Sequence, residues 1–189
     1  MKITARSRFH YAKRLDQNGR STNEFIAISS ACVIIISVLS EFFYVSENLK
    51  PILFFINFIT GLLIIITSLM HHAASSGAPA EQSHRSGLEI NEIIREILSC
   101  DQVSSEEINN FSKKYSDVLQ KYSINHDKID YEITMIYDTE ERKKFNIIQA
   151  LFIHIKHFSI TNYIKILMII VFAATICMLY IILVMPYFL

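Results

Sequence analysis

Apolar positions follow two patterns along this chain: three nearly unbroken runs, and several stretches where they recur at helical spacing. From Phe25 the sequence reads FIAISSACVIIISVLSEFFYV, then SENLKP, then ILFFINFITGLLIIITSL to Leu69. Glu41 is the only charge in the first half, and the second half has none. A bilayer core about 30 Å thick takes about 20 mostly apolar residues at about 1.5 Å rise each. Backbone polar groups inside it must be satisfied within the segment, which selects helices. Each Leu, Ile, Phe or Val favours insertion by roughly 0.3–0.6 kcal/mol, so the dozen or so in the second run outweigh Asn57. The pattern predicts a transmembrane helical hairpin over 25–70. Ile166 to Leu189 is again uncharged and long enough to cross, giving a third, C-terminal transmembrane helix over 163–189. The fold class is therefore an all-α integral membrane protein.

The second pattern fills the rest. Lys2 to Leu15 predicts a basic amphipathic helix with Ile3, Phe9, Ala12 and Leu15 as apolar contacts. It either lies on anionic headgroups as a flank or serves as a contact arm for an acidic surface. Asn18-Gly19 and Ser21-Thr22-Asn23 are expected to break it before the membrane, leaving an arm over 1–24. His71 to Ser86 is either a linker or a continuation of the second helix with a weak point at Pro79. Ile90, Ile93, Ile94, Ile97 and Leu98 form an apolar stripe. Ser104 and Glu107 read as a capping box opening a helix whose apolar face is Ile108, Phe111, Tyr115, Val118, Leu119 and Tyr122. Two such helices can pair as a hairpin within a helical region over 71–162. Ser123 to Glu132 interrupts the periodicity as a turn. Thr139 is expected to cap a helix carrying Phe145, Ile148, Leu151, Phe152 and Ile155 on one side, suited to the membrane surface. Pro186 is expected to end the last helix.

Charge adds a direction. The formal net charge is +0, but residues 1–24 hold Lys2, Arg6, Arg8, Lys13, Arg14 and Arg20 against Asp16 and Glu24. Lys50 is the only cation in the hairpin turn, and none follows Lys165. Cations favour the cytoplasmic side, which places the N-terminus and 71–162 inside, and the turn and C-terminus outside. Asn48 then faces outward and Ser76 inward. A cleaved signal peptide is not expected, since the polar lead is too long and the apolar run spans fully. The segment from His71 to Asn162 carries ten basic and fourteen acidic residues, so it can receive the basic arm.

Candidate chemistry is sparse. Ser30, Ser37 and Glu41 recur near one face of the first span, with Ser40 beside them. They serve either helix packing and the interface or a water-filled path. Asn57, Thr60 and Gly61 suit close packing against another helix, within the hairpin or between protomers. His71-His72 reads as an interfacial pair, and His154 with His157 lacks the cysteines or carboxylates of a metal site. Cys32 and Cys177 lie in spans and Cys100 stands apart, so neither a disulfide framework nor a zinc spacing arises. No phosphate loop, catalytic triad or metalloprotease signature is present. No catalytic residue, cofactor, metal or direct nucleic-acid contact is expected, and the chain does not read as an enzyme.

Three features together resemble a known family. Arg8, Ala12, Arg14 and Leu15 form R-x-x-x-A-x-R-L before two closely spaced spans. Ala80 to Arg85 reads AEQSHR, including His84 and Arg85. Tyr122 to Glu132 reads YSINHDKIDYE, with Asn125 and His126 close before Asp130 and Tyr131. This resembles a SLATT domain, the two-transmembrane effector domain of bacterial conflict systems, over roughly Arg6 to Glu132. The third span is an addition to that pattern. The resemblance implies a pore-forming or membrane-disrupting effector in antiviral defence, acting by abortive infection as a homo-oligomer. It implies a separate sensor partner, since some families of the domain accompany reverse transcriptases and others nucleotide-signalling enzymes. A non-conducting membrane scaffold that recruits a partner through its cytoplasmic helices is the alternative.

Overall fold

The computed structural model describes residues 1–42, 47, 50–73, 77–100 and 102–183. Asn48, Ser76 and Pro186, on which expectations above fall, lie outside the described residues. Six α-helices follow in order: α1 (Lys2–Phe42), α2 (Lys50–Ala73), α3 (Gly77–Ser99), α4 (Ser105–Lys121), α5 (Lys128–Tyr137) and α6 (Ile147–Leu183). A short 3₁₀ turn, Glu141–Lys144, precedes α6. Three of these helices, α1, α2 and α6, are long and apolar enough to cross a membrane. The chain is an all-α membrane protein.

The expected break at Asn18 to Asn23 does not occur. α1 runs through it for 41 residues, about 60 Å at 1.5 Å each. No proline removes a backbone donor here, and one glycine costs only about 1 kcal/mol relative to alanine. Thr22 turns its hydroxyl back onto the Asn18 carbonyl at 2.8 Å. Ser21, Thr22 and Phe25 are buried, so packing on one side outweighs weak local propensity.

Contacts divide the chain into two compact units. One is Met1–Gln17 with Ser75–Thr161, the other Asn18–Ala74 with Asn162–Leu189. In the second unit, the buried face of α1 is Thr22, Phe25, Ser29, Cys32 and Ile36, alternating in steps of three and four. Ile36 meets Leu53 of α2, with Met178 of α6 packed against them.

The first unit has two apolar clusters. Ala5 of α1 joins Ile90 and Ile93 of α3 and Phe111 and Val118 of α4. The α3–α4 pair forms as expected, except that Leu98 and Ile108 are 78% and 56% exposed. Each sits beside the loop that joins the two helices, at the end of the pair away from the buried Ile90 and Val118. Ser104 does cap α4: its hydroxyl accepts from Glu107 N, and Glu107 accepts from Ser104 N at 2.7 Å. Pro79 lies in the first turn of α3, where its missing N–H has no intrahelical acceptor to lose.

The second cluster joins Ile129, Ile133 and Ile136 of α5 to Ile153 of α6. Here three expectations are corrected. Lys128 to Glu132 is helix rather than turn, because Ile129 and Ile133 share one buried face. The last helix starts at Ile147 and not after Thr139. Asn146 supplies the cap: Gln149 N donates to its Oδ1 at 2.8 Å, and Asn146 N donates to Gln149 Oε1 at 3.1 Å. That reciprocal pair satisfies two otherwise free donors. The separate surface helix is likewise replaced by one continuous helix of 37 residues.

Candidate functional sites

In the first unit the N-terminal part of α1 carries two buried arginines. It is held by the acidic helical region. Arg14 is 6% exposed, and Asp130, in the first turn of α5, is fully buried. Arg14 Nε donates to Asp130 Oδ1 at 3.0 Å and Nη2 to Oδ2 at 2.7 Å. Nη2 also reaches Asp127 Oδ2 at 2.5 Å. Burial opposes the Arg14 charge, but the hydrogen bonds and charge of Asp130, then of Asp127, outweigh it and hold the guanidinium above its ordinary value. Such two-toothed pairing fixes orientation as well as charge. The Arg14 guanidinium also lies 5.3 Å from the centre of the Tyr11 ring.

Arg8 is held differently. It is 4% exposed and donates from Nη1 to Ser86 Oγ, while Ser83 Oγ donates to its backbone carbonyl at 2.9 Å. Its Nε is buried without a hydrogen-bond partner. Burial pulls its guanidinium below the ordinary value. Phe9 sets the spacing: it meets His84 edge-on at 5.3 Å, and a Cβ on Gly87 would lie 2.9 Å from its ring. Farther up the arm, Arg6 reaches Asp138 at 3.2 Å and Tyr115 donates to Thr4 at 3.2 Å.

The family-like motif thus becomes a joint. His126 stacks on Tyr131 with ring centres 6.1 Å apart, and its N–H donates to Asn125 Oδ1 at 3.0 Å. Asp130 takes Arg14, and Arg8 and His84 lie along the arm. Arg85 stands apart, paired with Glu81 at 2.6 Å on an exposed surface. Sequence reasoning missed His10, Ser83, Ser86, Gly87, Asp127 and Tyr137. The small residues Ser83, Ser86 and Gly87, three and four apart on one helical face, were the available signal for a close approach.

Three histidines line the same region. His10 stacks on Tyr137 at 6.0 Å, and His154 meets the Tyr137 ring edge-on at 5.6 Å. His157 lies within electrostatic reach of His10, Asp130, Arg14 and His154. Burial lowers the pKa of His10, His126 and His157; His157 adds to the shift of His10, and Arg8 to that of His126. Among the described residues no group of three or more His, Cys, Asp or Glu is placed to hold a metal ion.

In the second unit a groove of about 790 Å³ opens between α1 and α2, lined by Ser37, Ser40, Glu41, Lys50 and Asn57 among apolar neighbours. Asn57 Nδ2 donates to Ser37 Oγ at 2.8 Å, and Ser37 donates to Val33 O at 2.8 Å. Ser37 and Glu41 therefore share a face, but Ser30 is not among the groove residues and returns its hydroxyl to Ile26 O at 2.7 Å. Ser29, unremarked in the sequence, is the fully buried serine of this span. Thr60 bonds its own helix at Ile56 O at 2.8 Å. Gly61 has nothing within 4 Å of where a Cβ would stand, so it admits no close helix within the protomer.

A family model described as SMODS and SLOG-associating 2TM effector domain family 5 matches residues 1–185. No curated protein and no solved structure matches the chain.

Proposed function

We propose that this chain, which belongs to SMODS and SLOG-associating 2TM effector domain family 5, acts by permeabilising the membrane in which it resides. Several protomers assemble in the bacterial inner membrane with their N-termini in the cytoplasm, and a separate sensor protein triggers conduction as part of antiviral defence. It works without a catalytic step, a cofactor or a metal.

One observation carries this reading: the polar groove of Ser37, Ser40, Glu41 and Asn57 on spans that are otherwise apolar. Polar and ionisable groups inside a membrane are costly and usually face a bundle interior or a water-filled path. One hairpin supplies one wall, and further copies close the path. A ring of Glu41 carboxylates at one mouth favours cations over anions. The arm joint supports the triggered part of the reading, because a helix that carries both the groove and Arg14 gives a partner something to release.

Reversal potential under a salt gradient, measured with purified protein in planar bilayers, tests it. Wild type should conduct with cation preference, and Glu41→Gln should lessen that preference. A conductance of unchanged selectivity would remove Glu41 from the path. Protein that inserts but never conducts, even with its sensor, would leave the scaffold reading, in which the Asn57–Ser37 bond merely packs the hairpin.

A further inference from the structure

The part of α6 within the first unit has two apolar faces, separated by polar rows. Ile153 and Ile160 pack inward against α5. Almost opposite stand Ile148, Leu151, Ile155 and Phe158, which are 77%, 58%, 59% and 62% exposed. Gln149 and Lys156 run along one flank, His154 and Thr161 along the other. A helix that merely fills a core or a bilayer does not need this division.

The exposed face follows a seven-residue repeat. Isoleucine recurs at 148, 155, 169 and 176, with Asn162 in the register between, while Leu151, Phe158, Phe172 and Leu179 take the position three residues after each. A strict repeat of seven drifts about 20° per heptad on a straight helix and is kept in line by a left-handed supercoil. β-Branched residues at the first core position with leucine at the second favour two parallel strands, and one asparagine at the first position fixes register; here the second position holds Leu151 and Leu179 with Phe158 and Phe172 between them.

We propose that α6 is a self-association seam, through which a second copy of this chain packs Ile148, Leu151, Ile155 and Phe158 against the same residues in a parallel coiled coil. The occupant is a second copy because the pattern is self-complementary at every level of the repeat but that of Lys165. Copies in one membrane share one orientation, so the same residues come level. Lys165, in the core register after Asn162, makes one repelling layer and confines that cost to the polar middle of the repeat. The seam stands whether or not the assembly conducts, so its test reads association alone.

The test is disulfide crosslinking in membranes, using the full chain with Cys32, Cys100 and Cys177 replaced by serine. Leu151→Cys and Ile155→Cys should form dimers several-fold more readily than Lys156→Cys, which lies on the flank. Adding Ile155→Glu to Phe158→Cys should lower its crosslinking several-fold, while Ile155→Leu should preserve it. Equal crosslinking at residues 155 and 156, or none at any position, would overturn the seam. So would a nitroxide at residue 155 that is relaxed by lipid-dissolved oxygen and not by a second label, since lipid would then cover this face.

Discussion

Arg14 and Asp130 stand 116 residues apart in the chain, and their side chains meet through two parallel hydrogen bonds in a buried setting. Neither charge has water to fall back on. Removing one partner of such a pair costs about 3–5 kcal/mol, because the other is left buried and uncompensated. Asp130→Ala should therefore loosen the arm, seen as a lower thermal midpoint and faster cleavage near Arg14 by trypsin. Asp127 is 60% exposed at its side chain, so Asp127→Ala should cost at most about 1 kcal/mol. Equal effects of the two would refute the ranking.

Arg8 should behave unlike Arg14. Its charge is buried with a hydroxyl partner and an unsatisfied Nε, so part of its burial is unfavourable already. Arg8→Met keeps the packing of the stem and should be close to neutral, whereas Arg14→Met should destabilise strongly. Chemical unfolding of the two variants, side by side in one detergent, checks this.

Acid should loosen the arm. Burial lowers the pKa of His10, His126 and His157 relative to the unfolded chain. Groups depressed in this way contribute stability that is present above their unfolded value, about 6.5, and lost as pH falls through the lower folded values. Cations then face the arm's own Arg6, Arg8, Lys13 and Arg14, with Asp130 and Asp127 opposing. Proteolytic protection of the arm should fall between pH 7 and pH 5, and His10→Phe with His157→Gln should flatten that fall. A profile unchanged by the double variant would discard the histidines as its source.

Gly87 keeps room for Phe9, whose ring lies 2.9 Å from where a Cβ would stand. Gly87→Leu should push the ring out and cost about 1–3 kcal/mol by overpacking. Gly61→Leu, in open space within the protomer, should leave protomer stability unchanged. Melting curves of both variants decide whether the two glycines differ as stated.

In the hairpin, Asn57→Leu removes the bond to Ser37. Interhelical bonds of this kind average about 0.6 kcal/mol in membranes, with a maximum near 1.7. The hairpin should therefore stay assembled, while the groove becomes drier and conductance drops. Loss of helix pairing by crosslinking between α1 and α2 would contradict that.

The membrane spans were legible because twenty apolar residues in a row leave few alternatives. Ser104 and Glu107 were legible because a capping box is local. The arm's destination was legible only as a choice, since charge says that Arg14 seeks an acid but not which one. Asp130 becomes special through burial, which depends on α5, and α5 was hidden by Asn125, His126 and Asp127 just before it. The continuity of α1 was misread for a similar reason. Gly19 and Ser21 weaken a helix locally, and the burial of Thr22 and Phe25 that overrules them is a property of the folded unit. Asn146 and Gln149 spelled out the true start of α6, but Thr139 offered an earlier cap of equal local merit.

The separation of Arg14 from Asp130 also sets an order of events during synthesis. At about 5–20 residues per second, roughly 6–23 s pass between the making of Arg14 and of its carboxylate. Both helices of the hairpin are made in that interval. Arg14 is therefore made, and the hairpin after it, well before the carboxylate that buries it. Only afterwards does the chain produce Asp130, the acid that pairs with Arg14. A charge that the hairpin is synthesised beside is folded away only after both of its helices are complete.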